Sequence, residues 1–454
     1  MLGKLLGTIG RASRALTFFA ITAGGSAVIA LHTASAALPP GNTVAQWNQI
    51  AENTVVGSGA FQNEGLIYMG YVSAAVYNAT VAVRGDYVPY HGGVHAPRGS
   101  SIDAAVIEAA YGTLVNYFPS QTTTLYAAYT EALGLIPDGI AKRNGQAVGL
   151  AAATMLIQDR NGDGRMTPIG VTSPVAPLTP GPGVWRRTPA AYAAPQTPWV
   201  GDVKPFILGS ASQFLPGPPP SLSSDKWQHA FNDIQAYGSA SSVVRSGEQT
   251  AIAEFWTANV IRQYNRLVRD LAATRNLGVV RTARLAAMVN VIGADAQISV
   301  MHAKYHYFFW RPVTAIDPTS VAPAGDEFGP VPGFDDGNAA TLELLGWRPL
   351  VATPNHPEYP AAHGSLTSAM AEVLEDFLDT DRIGVDVHGF DAAGSAGNLD
   401  AVRHFDTTSD LRRQIVDARF WAGLHYRFST EAGVVMGRKI AEYDLRHAFG
   451  EIDR

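Results

Sequence analysis

Along most of this chain apolar residues recur three and four positions apart, the spacing that gathers them on one face of an α-helix. From about 42 to 157 the stretches are Ala-rich and amphipathic, as in Ile102-Asp103-Ala104-Ala105-Val106-Ile107-Glu108-Ala109-Ala110, and four or five helices are expected there. The pattern breaks between 168 and 220, which hold 13 of the 28 prolines and so form neither a helix interior nor a central strand. Trp185, Tyr192, Trp199 and Phe206 give that segment apolar anchors, so an ordered crossing segment is expected rather than a loose linker. Helical spacing resumes near 222. Leu285, Met288, Val289, Ile292 and Ala296 mark one face of a long helix running toward Lys304, and Leu366, Met370, Val373, Leu374 and Phe377 mark another. Alternating strand patterns are scarce. The expected class is therefore all-α: helical layers or bundles sharing one core, with a long Pro-rich crossing segment. The parts are 37–167, 168–221 and 222–454, after an amino-terminal segment 1–36.

That first segment has its own logic. Lys4, Arg11 and Arg14 precede an apolar stretch from Ala15 to Leu31, followed by the small-residue run Thr33-Ala34-Ser35-Ala36-Ala37. This is the layout of a secretory signal cleaved after Ala36, and the expected location is periplasmic or extracellular. Gly24, Gly25 and Ser26 interrupt the stretch, which falls short of the ~20 apolar residues of a membrane span. No later run is expected to span a bilayer.

The 454 residues suffice for a sizeable core, and 46% of them are hydrophobic, against the composition of a disordered chain. The net charge of −6 and the absence of a Lys/Arg run argue against nucleic acid as a partner. Any anion must therefore be held by cations gathered locally. There is no cysteine, which excludes thiolate metal sites, thiol nucleophiles and disulfides.

Three separated segments supply such cations together with histidines. In Lys304-Tyr305-His306-Tyr307-Phe308-Phe309-Trp310-Arg311-Pro312 the Lys and Arg are seven apart, so on a helix they share a face, and Pro312 would end that helix. In Asn355-His356-Pro357-Glu358-Tyr359-Pro360-Ala361-Ala362-His363-Gly364-Ser365 the second His stands at a helix start, where free N–H groups and the positive dipole end favour an oxyanion. In Asp417-Ala418-Arg419-Phe420-Trp421-Ala422-Gly423-Leu424-His425, Gly423 can stop a helix. Ser429 or Thr430 can cap the next, leaving His425 on the connection.

Taken together the segments resemble the vanadium-dependent haloperoxidase and type 2 phosphatidic acid phosphatase superfamily. Its pattern is Lys, six residues, Arg-Pro; then Pro-Ser-Gly-His; then Ser-Arg, five residues, His. Both inner spacings and the order agree here, and the run of the whole chain looks like the bacterial haloperoxidase-related branch. The resemblance implies an oxyanion pocket in which Lys304, Arg311, Arg419 and the Ala362 backbone bind vanadate or phosphate. His363 would be the acid/base group. His425 would be the axial vanadium ligand of a haloperoxidase using hydrogen peroxide, halide and a small organic acceptor, or the nucleophile of an acid phosphatase acting on phosphomonoesters. One cationic cage suits both, because vanadate and the phosphoryl transition state share a trigonal-bipyramidal shape. The chain departs from the pattern at Ala361 (Ser in the family), Ala362 (Gly), Ala418 (Ser) and Ser429 (Asp in the longer form of the motif). Ala361 removes a hydroxyl donor, for which Ser365 or Thr367 could substitute. The two alanines also leave room for a third reading, a catalytically impaired anion-binding or structural secreted protein.

Two further patterns carry less. Asp159-Arg160-Asn161-Gly162-Asp163-Gly164 opens like a calcium loop, but its twelfth position is Gly170 instead of Glu, so a tight turn is expected. His302 and His306 have the spacing of zinc ligands on a helix without the accompanying glutamate, and packing is expected.

Overall fold

The computed structural model describes residues 37–165, 167–171, 181–320, 335–389 and 401–452; the expected signal segment 1–36 lies outside them. Residues 37–454 form one compact unit. Five helices open it, as the spacing predicts: α1 (Thr43–Gly57), α2 (Gln62–Arg84), α3 (Ile102–Tyr117), α4 (Thr122–Gly134) and α5 (Ile140–Asp159). After the crossing segment come α6 (Asp225–Tyr237), α7 (Gly247–Phe255), α8 (Val260–Thr274), α9 (Val279–Tyr307) and the five-residue α10 (Pro312–Ile316). The chain ends with α11 (Ala362–Leu378), α12 (Thr408–Trp421) and α13 (Arg427–His447). Between α11 and α12 a short antiparallel pair, β1 (Val385–Gly389) and β2 (Ala401–Phe405), is the only sheet among the described residues.

The predicted long helix is α9, and it is more central than one apolar face implies. Leu285, Met288, Val289, Ile292 and Ala296 are all buried, but so are Ala287, Val291 and Ile298 on its other sides, because α2, α8, α11 and α13 pack around it. A helix apolar on most faces belongs inside a core. The same holds for α2, which at 23 residues is long and apolar enough to cross a membrane, against the sequence expectation. Its most apolar window is 89% buried inside the protein, as in a core helix.

The few polar side chains within this core hold its parts in register. Asn48, Asn265, Asn290 and Ser73 form a chain of side-chain hydrogen bonds of 2.6–3.0 Å between α1, α8, α9 and α2. Asp295 of α9 accepts the backbone N–H groups of Phe206, Ile207 and Leu208 at 2.6, 2.8 and 3.2 Å, which fastens the crossing segment to the central helix. Trp185, Trp199 and Phe206 of that segment are buried as expected, whereas Tyr192 stays half-exposed. The segment is ordered where described, with one 3₁₀ turn at Pro198–Asp202.

The α11–α13 pair is the closest packed. A Cβ on Gly437 would lie 1.9 Å from the Ser365 carbonyl oxygen, so only glycine lets the two backbones meet there. The Asp159–Gly164 stretch is the tight turn expected: Asp159 pairs with His91 and Lys204, and Asp163 with Arg160 at 2.9 Å. His302 and His306 stack with ring centres 6.3 Å apart.

Asp444 of α13 is fully buried, and neither carboxylate oxygen finds a hydrogen bond. Burial, followed by the charge of Asp295, raises its pKa well above the usual carboxylate value. A raised folded-state pKa gives stability that is present in acid and is lost as the pH rises. Asp444→Asn should therefore stabilise the fold at pH 7–8 by about 1–3 kcal/mol. The gain should fade toward pH 4, as thermal melts across that range will show.

Candidate functional site

Each motif residue is delivered by the end of an element. Helix α9 stops three residues after Lys304 because Phe308 turns into the left-handed region at φ 50°. Lys304 and Arg311 thus do not share one continuous helix as expected. Arg311 is instead the N-cap of α10, and Pro312 starts that helix, a position where its missing N–H costs nothing. His363 is the second residue of α11, as the sequence predicts, with Ala361 as its N-cap. Arg419 lies in the last turn of α12. Gly423 follows at φ 74°, where a Cβ would meet the Gly238 carbonyl oxygen at 2.4 Å. His425 falls on the connection, as expected. The cap of α13 is Tyr426, however, and not Ser429 or Thr430, whose N–H groups bond to the Tyr426 carbonyl at 3.0 and 3.3 Å.

These ends converge. Lys304, Arg311 and Arg419 are all buried, at 0, 0 and 3% exposure. Lys304 Nζ donates to the Pro357 and Glu358 carbonyls at 3.0 and 2.8 Å. Arg311 Nε donates to the His356 carbonyl at 2.9 Å and one terminal nitrogen to His356 Nδ1 at 3.0 Å. Its other terminal nitrogen donates to the Leu424 carbonyl at 2.9 Å and to His425 Nε2 at 3.1 Å. Arg419 donates to the Trp256 carbonyl at 2.9 Å, while its Nε has no partner. Among the described residues these bonds leave one N–H on Lys304, one on Arg311 and most of the Arg419 fork free for a ligand. Burial lowers the pKa of all three, Arg311 to about 10 and Arg419 to about 9; the neighbouring Arg311 charge adds to the effect on Lys304 and Arg419. A bound anion would relieve that strain.

The histidines are placed to serve it. Arginine can only donate, so the Arg311 bond makes His425 Nε2 an acceptor and puts the ring proton on Nδ1, which donates to Glu358 Oε1 at 2.9 Å. Burial, then the charges of Arg311, Lys304 and Arg419, push the His425 pKa well down, which keeps the ring neutral. His363 is lowered in the same way by burial and by Arg419, Lys304 and Arg311, and its Nε2 is buried without a partner. Both rings line one enclosed cavity together with Ala362, His356 and Arg419. Lys304 and Arg311 are not in its lining; Arg311 bonds to the two lining histidines His356 and His425, and Lys304 to the Glu358 carbonyl. The opposite wall is Gln62, Asn63, Val260, Gln297 and Met301. The cavity's free volume of about 20 Å³ is room for about one water, so a tetrahedral oxyanion enters only as the lining side chains shift. A larger groove of about 750 Å³ beside Pro216, Tyr359 and Lys439 has none of the motif residues in its lining.

Of the two substitutes proposed for the missing serine hydroxyl, neither lines the cavity, and the buried Ser365 hydroxyl has no hydrogen-bond partner. Thr367 Oγ1 is bonded to the Tyr264 hydroxyl at 2.8 Å, and Ser365 sits in the α11–α13 seam. Ala361 cannot cap α11 with its side chain, so the first backbone N–H groups of the helix remain uncapped beside His363. That, with the unpartnered His363 Nε2 and Arg419 Nε, fits a tetrahedral oxyanion such as vanadate or phosphate. Reading the sequence by type missed three residues. Glu358 and His356 stand inside the second motif but act on other segments, and Gln297 precedes Lys304 by seven residues on the same face of α9. Only that spacing could have pointed to Gln297.

Comparison with known proteins agrees with this arrangement. Residues 284–453 match the family model of the VCPO second helical-bundle domain, which contains all six motif positions. The chain is 24% identical over 288 residues to the vanadium chloroperoxidase of Curvularia inaequalis. That match takes in 52% of this chain and 46% of the relative, so the chain spans about half of that relative's length. The crystal structure of the first bacterial vanadium-dependent iodoperoxidase superposes with a TM-score of 0.71 at 21% identity, covering 92% of this chain and 100% of that one. A holo-type bacterial vanadium-dependent chloroperoxidase gives 0.65 at 18%, covering 91% and 97%. This is the vanadium haloperoxidase fold. The expected all-α class and the resemblance read from the motifs both stand, and the candidate site lies at the ends of α9, α11 and α12, the start of α10 and the connection before α13.

In this haloperoxidase-like site the first position to test is the departure at the N-cap. Ala361→Ser adds one hydroxyl donor and should tighten binding of inorganic phosphate or orthovanadate roughly tenfold in calorimetric titration. No change would mean that the uncapped N–H groups of α11 already satisfy that oxygen.

Proposed function

We propose that the chain is an exported vanadium-dependent haloperoxidase-like enzyme that uses bound vanadate and hydrogen peroxide to oxidise halide. One observation carries the reading: Arg419, His363 and His425 line one small cavity, and buried Arg311 and Lys304 are bonded to His425 and to the Glu358 that holds it. Vanadate, when bound, makes peroxide electrophilic toward halide without itself changing oxidation state. Lys304, Arg311, Arg419 and the first N–H groups of α11 would hold its oxygens, and His425 Nε2 would face the metal. His363, neutral and with Nε2 free, takes a proton from incoming peroxide and returns it to the leaving oxygen. Gln297 is the polar side chain of α9 that lines the same cavity. The named relatives include an iodoperoxidase and chloroperoxidases, and the halide used by this chain is for assay to assign.

A phosphatase reading draws on the same atoms, since the unprotonated Nε2 of a neutral His425 becomes a nucleophile for phosphorus once Arg311 turns its N–H from that nitrogen to a bound phosphate. The purified chain, loaded with orthovanadate, should brominate a phenol in a peroxide-dependent way. Hydrolysis of an aryl phosphate without bromination would assign the phosphatase reading, and loss of both with no vanadate retained would leave an anion-binding or structural protein. His425→Ala should abolish turnover and vanadate retention, whereas His363→Ala should lower turnover at least a hundredfold and spare most of the anion binding.

Export is proposed from the amino-terminal pattern. Expression of the full chain in a bacterium should yield a secreted or periplasmic protein whose first residue, by amino-terminal sequencing, is Ala37. An intact Met1 would remove that part of the proposal.

A further inference from the structure

In the longer form of the third motif an acidic residue stands four positions after the histidine, and here that position is Ser429. Without a carboxylate only the 3.1 Å Arg311 bond at Nε2 would favour the Nδ1–H form of His425, and the ring could turn about its axis. The structure holds a carboxylate there nonetheless. Glu358, five residues before His363, reaches out of the second motif. Its Oε1 accepts His425 Nδ1–H at 2.9 Å and the Tyr426 N–H at 3.1 Å. Glu358 itself is fully buried and pinned from behind: its N–H donates to the Phe309 carbonyl at 2.9 Å, and its own carbonyl accepts Lys304 Nζ at 2.8 Å. The Ser429 hydroxyl lies beside the same carboxylate without making a bond of good geometry. A side chain at 429 therefore reaches the place that the Glu358 carboxylate fills.

We propose that Glu358 is the positioning residue of His425, doing from the second-motif loop what the related motif assigns to an acid at position 429. Together with Arg311 at Nε2 it holds the ring proton on Nδ1 and fixes the ring plane, which keeps Nε2 unprotonated on the side of the cage. It also ties the three motifs together, because one residue bonds to Lys304, to the segment after α9 and to the connection before α13. The inference rests on the reading of His425 as ligand or nucleophile, but it does not depend on which reaction follows.

The test is relocation of the acid. In the full mature chain, Glu358→Ala should weaken binding of inorganic phosphate and retention of orthovanadate at least tenfold. It should also turn the single Nδ1–H tautomer of His425, seen by ¹⁵N NMR of labelled imidazole, into a mixture. Adding Ser429→Asp to Glu358→Ala should restore the single tautomer and recover anion affinity to within about threefold of the original chain. Unchanged affinity and tautomer in Glu358→Ala would overturn the proposal. So would a folded double variant, checked by circular dichroism, that recovers neither. If Glu358→Ala fails to fold, Glu358→Gln decides: the same volume without the charge should still weaken anion binding, and Ser429→Asp should still reverse it. Both readouts need no turnover. A chain that neither brominates nor hydrolyses but shows the rescue would overturn the proposed function and keep the role of Glu358.

Discussion

Burying three cations around one small cavity is the constraint to which the rest of the molecule answers. Each loses its hydration, and each repels the others. Backbone carbonyls absorb part of that cost. Those of His356, Pro357, Glu358, Leu424 and Trp256 point at the charged side chains, and they can do so because the chain leaves helical geometry at each of those places. The breaks at Phe308 and Gly423 and the loop before α11 follow from the same need. What remains unsatisfied is an anion-shaped deficit in the middle.

Much of this was legible in the sequence. The long helix toward Lys304, the helix start at His363 and the loop position of His425 all follow from periodicity, caps and a glycine, which are local properties of the chain. Lys304, Arg311 and Arg419 could be picked out because they recur in a known order and spacing. The structure puts Arg419, Ala362, His363 and His425 on one cavity and buries Lys304 and Arg311 beside it, bonded to Glu358 and His425.

What was illegible depends on long-range contact. Nothing local distinguishes Glu358 from a surface glutamate in a proline-rich loop; its partner lies 67 residues away. The helix break at Phe308 was hidden because the seven-residue spacing from Lys304 to Arg311 is equally consistent with an unbroken helix. Ser429 and Thr430 carry good capping side chains, yet the connection packs Tyr426 at the cap, with its ring fully buried among Trp227, Phe309 and Phe428. Tertiary packing there overrides a local preference.

The contact between Gly437 and the Ser365 carbonyl has a consequence for how such a site can diversify. His363 rides on α11, and His425 immediately precedes α13, so the two histidines are set by a pair of helices locked backbone to backbone. A substitution in that seam shifts both at once and forfeits the whole arrangement. The facing wall of Gln62, Asn63, Val260, Gln297 and Met301 comes from α2, α8 and α9 and carries none of the cage. The cavity thus has one wall tied to the helix seam and one whose side chains can be exchanged without disturbing that seam.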